Sequence, residues 1–233
     1  MLLRASLAWT VAIAALLTAY AVRAPLAQVP QSGSLTGRIK LTTRVRAPLA
    51  VNAYPSRSIG KHDAPAIPEI RNVVVYLKDA VYRGPLPAMR VELHQQNETF
   101  VPHVLAITKG STVEFPNDDP FFHNVFSFSS AASFNLGRYP SGQSKPQKFM
   151  KTGLVKVFCD IHSHMSASIL VLDHPFFAIP SVDGSYEIAN VPAGQYTLVG
   201  WHERVGERSA TVQVQAGRAT TADLTVPVED ASS

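Results

Sequence analysis

Two apolar runs with strand periodicity, residues 154–159 and 169–172, flank the segment Cys159-Asp160-Ile161-His162-Ser163-His164-Met165, and no other stretch limits the fold so tightly. A period of two puts Val155, Val157 and Cys159 on one face, so the cysteine follows two core residues at the end of a strand and points inward. The segment is therefore a tight connection between two β-strands that also carries a thiol, imidazoles and a thioether. That is a soft-metal site. Upstream, Phe121-Phe122-His123-Asn124-Val125-Phe126 brings another histidine into an apolar run, where a neighbouring strand would close the site.

His123, Cys159, His162 and Met165 together offer two imidazoles, one thiolate and a weak axial thioether, the ligand set of blue-copper electron-transfer sites. Three strong donors and a weak fourth fit Cu(I) and Cu(II) with little rearrangement, so the expected cofactor is one type 1 copper ion. Zinc competes, because Cys and His also suit it, but structural zinc sites usually spend several cysteines and gain little from methionine. His164 is the alternative to His162, and otherwise reads as an exposed loop residue beside the site. The chain holds a single cysteine. It cannot form an internal disulfide, which leaves buried packing or metal ligation as its occupation.

Arg4, an apolar run from Ala5 to Leu17, and the small-residue steps Ala19-Tyr20-Ala21 and Val22-Arg23-Ala24 read as a secretory signal peptide over residues 1–24. The run is short for a membrane anchor and is interrupted by Thr10 and Thr18, so no stable span is expected after cleavage. The formal charge of +4 includes Arg4 and Arg23 of that leader. With Lys and Arg scattered, nucleic acid is not an expected partner.

Along the rest of the chain, residues 28–34 read as a loose lead-in, 35–41 as a strand, and 46–69, with Pro48, Pro55, Pro65 and Pro68, as a long loop in which His62 is solvated. Residues 72–77 are β-branched enough for a strand buried on both faces. Short strands are expected at 91–93, 100–107 and 112–115, before Asn117-Asp118-Asp119-Pro120 turns the chain toward His123. Residues 129–147, rich in Ser, Gly and Pro, read as a surface connection. Asp183-Gly184, Pro192-Ala193-Gly194 and Gly217 punctuate four short strands in the last third, a small β-sandwich. His103, His174 and His202 read as structural, and His94 has no obvious partner in sequence. No convincing amphipathic helix is present, so the fold class is all-β.

The segments Gly110-Ser111-Thr112-Val113-Glu114-Phe115-x-Asn117, His123-Asn124-Val125 and Cys159-x-x-His162-x-x-Met165, followed by Ile169-Leu170-Val171, resemble the cupredoxins, most closely their amicyanin and plastocyanin-like group. The resemblance covers about residues 91–172 and implies a Greek-key β-sandwich with copper held by His123, Cys159, His162 and Met165. It implies that Asn124 ties the two ligand-bearing loops by hydrogen bonds. It also implies that the His162 ring edge is the electron port, ringed by apolar residues. The chain departs from amicyanin at Ser163-His164, where that protein has Pro-Phe, and in a long insertion after Phe128.

The flanks resemble carboxypeptidase regulatory-like domains, a transthyretin- or Ig-like β-sandwich, through Gly37-Arg38-Ile39-Lys40-Leu41, the valine-rich 73–77 strand and Asp183-Gly184-Ser185-Tyr186-x-Ile188-x-x-Val191-Pro192-x-Gly194-x-Tyr196-x-Leu198. The expected organisation is a signal peptide at 1–24, a discontinuous regulatory-like sandwich at 34–82 plus 176–228, a cupredoxin domain at 88–173 inserted in it, and a tail at 229–233. Such combinations resemble bacterial proteins labelled methylamine-utilisation or plastocyanin-like.

The expected function is that of a periplasmic blue-copper carrier passing single electrons between redox partners such as a c-type cytochrome or a periplasmic dehydrogenase, with no catalysis of its own. Copper delivery or storage is the alternative, though only four methionines occur and no exposed Met- or His-rich tract. A multicopper oxidase needs several His-x-His pairs, and His162-Ser163-His164 alone has that form. A non-redox scaffold would have no use for intact ligands.

Overall fold

The computed structural model describes residues 32–42 and 68–226. The expected signal peptide, most of the proline-rich 46–69 segment with His62, and the 229–233 tail lie outside the described residues. Apart from one short 3-10 turn at Glu69–Asn72, the regular structure described is all strand. The chain is all-β.

Two hydrophobic cores organise it. In the first, strand Ser32–Leu41 runs antiparallel to Ser185–Pro192 on one side and parallel to Ala219–Thr221 and Leu224–Val226 on the other. Facing it is a sheet in the order Phe177–Ala178, Val73–Leu77, Gly194–His202, Gly206–Val214. Leu35, Ile39 and Ile188 from the first sheet meet Val73, Val75, Leu77 and Leu198 from the second. This outer sandwich is closed by early and late strands together, so the last third does not form a sandwich alone.

The second core belongs to the sandwich that carries the site. A five-stranded sheet has the order Val104–Thr108, Ser166–Leu172, Gly153–Phe158, His123–Ser129, Ala132–Tyr139, and a three-stranded sheet the order Ser144–Lys148, Thr112–Pro116, Arg90–Glu92. Alternation along each strand turns Val113 and Phe115 from one sheet toward Val125, Val155, Val157 and Ile169 from the other. A hairpin, His94–Gln96 with Thr99–Val101, completes it.

Strands Val73–Leu77 and Ser166–Leu172 are buried on both faces because each serves two cores. Val74 and Tyr76, with Val199 and Trp201, pack against Val104, Ala106, Leu170 and Leu172 at the junction of the two sandwiches. Their alternate residues point into the outer core and the site core respectively.

Residues 129–147 correct the expectation of a surface connection: they hold strands Ala132–Tyr139 and Ser144–Lys148. Ala132, Phe134 and Leu136 face the core at alternate positions, and the Ser, Asn and Gly between them are solvated, which hides the period in a polar composition. Tyr139 at the strand end is buried; its hydroxyl donates to the Phe115 carbonyl at 2.8 Å and accepts from the fully buried Gln95 amide. Tyr139→Phe is expected to cost about 1 to 2 kcal/mol in urea unfolding with an unchanged slope, since it takes the acceptor from the buried Gln95 amide and removes the bond to the Phe115 carbonyl. An unaltered midpoint would refute that role.

Candidate metal centre

The turn that delivers His123 is tied before the strand begins. The Asn117 side-chain amide donates to the Phe121 carbonyl at 2.8 Å, and the Asp119 backbone N–H donates back to Asn117 Oδ1 at 3.1 Å. His123 opens strand His123–Ser129 and is fully buried. Cys159 follows strand Gly153–Phe158, inward as the alternation requires, and is 3% exposed. The loop after it closes on itself: the Met165 N–H donates to the His162 carbonyl at 2.9 Å, which brings His162 back over Cys159.

Three donor atoms converge. His123 Nδ1 lies 3.8 Å from Cys159 Sγ and 3.0 Å from His162 Nδ1, and Cys159 Sγ lies 4.0 Å from His162 Nδ1. A first-row metal with bonds of about 2.3 Å to sulfur and about 2.0 Å to nitrogen sets its donors about 3 to 4 Å apart, so these separations fit one ion. Phe121 walls the cluster, its ring centroid 5.2 Å from that of His123 and 5.4 Å from that of His162.

Met165 is 1% exposed and lies in the same buried cluster as Cys159, at the far end of the loop. His164 stands outside the donor cluster: its Nε2 pairs with Glu98 Oε2 at 3.5 Å and 38% of its side chain is exposed. Asn124 joins the two ligand-bearing segments, its Oδ1 accepting from the Asp160 N–H at 2.7 Å.

In the metal-free cluster the electrostatics favour the thiolate. Burial pushes the Cys159 thiol up, but the hydrogen bond with His123 and the backbone N–H groups of Asn124, His162 and Ile161 outweigh it and hold the thiol below the usual cysteine range. Burial pulls His123 down, while hydrogen bonds and charge from Cys159 and Asp119 hold it above the usual histidine range. Thiolate character is what a metal needs from cysteine.

Sequence reasoning missed Asp119, reading it as turn chemistry. Its carboxylate sits 2.8 Å from His123 Nε2 and is 5% exposed as a residue. An acid four residues before a buried histidine was the available signal. His94 also has partners, Asp118 at 2.7 Å and Glu92 at 2.9 Å, both close in sequence or in the turn cluster.

No family model matches the chain, and no curated protein matches it. Among solved structures it is similar to the copper-containing nitrite reductase of Thermus scotoductus, at 28% identity and a TM-score of 0.35 over 40% of this chain; it spans only 24% of that one. It is also similar to a methionine-to-alanine variant of amicyanin in its Cu(I) form, at 17% identity and a TM-score of 0.34, covering 36% of this chain and 82% of that one. A purple cupredoxin from Nitrosopumilus maritimus matches at 22% identity and a TM-score of 0.32, covering 35% and 99% of the two chains. Fold and site define an all-β protein with a buried His, Cys and His cluster at one end of a β-sandwich.

Proposed function

We propose that this chain is an exported, cupredoxin-type copper protein that carries single electrons between periplasmic redox partners, such as a c-type cytochrome or a dehydrogenase, and catalyses nothing itself. The observation that carries the reading is the convergence of His123 Nδ1, Cys159 Sγ and His162 Nδ1 within 4.8 Å, all buried. His123, Cys159 and His162 would hold the ion, with Met165 as the weak axial donor. A bound copper supplies the one-electron couple.

The chain's own part is to keep the donors still. Asn124 locks the Cys159 segment to the His123 strand, and Phe121 excludes water from the imidazoles, so the donors need not move when charge changes. His162 retains 8% exposure, and Ile161 beside it is 37% exposed, which suits an apolar rim for electron exit. A cargo site for copper delivery would need ligands that reach solvent. Export rests on the 1–24 leader; among the described residues no helix is long and apolar enough to cross a membrane. The domain reading is a cupredoxin unit at 88–173 inserted in a regulatory-like sandwich at 34–82 plus 176–228.

The test is a visible absorption and EPR titration of the mature chain with Cu(II), beside Cys159→Ala. The expected result is an intense blue charge-transfer band with narrow copper hyperfine splitting, both lost in the variant. A colourless protein, or a copper signal that survives loss of Cys159, sinks the electron-carrier reading and favours copper delivery or a scaffold.

A further inference from the structure

A histidine can offer a metal either ring nitrogen, and the choice is set by what the other nitrogen does. His123 has Nδ1 in the donor cluster and Nε2 against the Asp119 carboxylate at 2.8 Å. A carboxylate only accepts, so this contact requires the proton on Nε2 and leaves the Nδ1 lone pair for an ion. Asp119 is itself held. Its Oδ1 accepts from the Asn97 N–H at 2.7 Å and its Oδ2 from the Glu98 N–H at 2.9 Å. Those two residues form the tip of the His94–Val101 hairpin, both with left-handed backbones, φ 55° and 54°. From the same tip the Glu98 side chain reaches His164 at 3.5 Å, in the loop that carries Cys159 and His162.

We propose that Asp119 is a positioning residue that fixes which nitrogen of His123 faces the metal, and that the Asn97–Glu98 hairpin tip, through Asp119 on one side and His164 on the other, ties the two ligand-bearing loops together. This rests on the reading of the cluster as a copper centre. The tie is independent of Asn124, which joins the same loops through Asp160. The carboxylate also adds negative charge to an imidazole in a dry site, which favours the more highly charged Cu(II) over Cu(I).

Asp119→Asn removes the charge and leaves one acceptor oxygen, so one of the two hairpin N–H groups, which bond different oxygens of the carboxylate, loses its partner. The copper potential then reports the charge and the histidine ring spectrum of the wild type reports the positioning, neither of which a merely structural role would move. The copper-loaded variant is expected to keep its blue band and to lose about tenfold in preference for Cu(II) over Cu(I), read as a reduction potential about 59 mV higher. A potential equal to that of the wild type overturns the assignment. The second measurement is the 15N spectrum of the histidine rings in the metal-free wild-type chain at mildly alkaline pH. A protonated, hydrogen-bonded His123 Nε2 upholds the assignment even where no blue band develops, so failure of the copper reading is distinguishable. A His123 ring protonated on Nδ1 instead overturns it, whether or not the variant folds.

Discussion

Gly37→Ala is expected to destabilise the chain by about 3 kcal/mol or more, seen as a large drop in the denaturant midpoint followed by circular dichroism. The reason is a close approach, not a special backbone angle. A Cβ on Gly37 would sit 1.8 Å from the Ala222 carbonyl oxygen and 2.6 Å from its carbon, with the Tyr186 ring at 3.1 Å. The clashing atoms are backbone, and they cannot swing aside. Ala222 N–H donates to the Thr36 carbonyl at 2.8 Å, and the Arg38 N–H donates to Asp223 Oδ1 at 2.8 Å, so the crossing segment is stitched down on both sides of the glycine. Tyr186, opposite Gly37 in the neighbouring strand, lays its ring across the gap and donates its hydroxyl to the Ala222 carbonyl at 2.6 Å. Relief would require strand Ser32–Leu41 to leave one neighbour, opening the core at Leu35 and Ile39. A loss below about 1 kcal/mol would show that the strand can shift cheaply and would sink this account.

Gly37 also shows what a sequence can and cannot say. It is visible as one residue of an alternating strand pattern, but the carbonyl that forbids a side chain there comes from residue 222, and no local rule connects the two. Cys159 is the opposite case. Its inward direction follows from strict alternation after Val155 and Val157, and the short loop returns a histidine to it. That the histidine is His162 and not His164 is decided by the folded loop, where the Met165 N–H closes on the His162 carbonyl and His164 turns to Glu98. The all-β class is equally legible, because valine-rich runs and Gly or Pro turns recur with no helical period between them. Residues 132–139 escape notice because their apolar positions are only half-buried and the residues between them are Ser, Asn and Gly. Asp119 and Glu203 escape for another reason. An acid's role depends on which cation or N–H the fold brings to it, and composition assigns acids to solvent by default.

Glu203 carries the second large expectation, because it fastens the two sandwiches at the end of their apolar junction. It follows strand Gly194–His202 of the outer sandwich, and its carboxylate receives His103 Nε2 on one oxygen and the Ser168 hydroxyl, at 2.9 Å, on the other. His103 and Ser168 belong to the site sandwich, and the His103 carbonyl also accepts the Ser168 N–H at 2.9 Å. The hydrogen bond to Glu203 holds His103 above its usual 6.5 against the downward pull of burial. Burial pushes Glu203 up, but the hydrogen bond and charge of His103, with Ser168, hold it below its usual 4.5. A raised histidine stabilises fully below 6.5 and loses that contribution as pH rises through its folded value; a lowered carboxylate stabilises above 4.5 and loses it as pH falls through its folded value. The clasp is therefore strongest between the two. The side chains are 33% and 20% exposed, so water screens the pair and its value is about 2 kcal/mol rather than that of a fully buried pair. Glu203→Gln is expected to lower stability by that amount near pH 5.5, the gap narrowing once His103 is neutral in both proteins. Taking the difference between the two stability curves removes the titration of groups that do not act on the clasp. A gap that stays constant from pH 5 to pH 9 would mean that the junction rests on Val74, Tyr76, Leu170 and Trp201 alone and that the charge at its end does not fasten it.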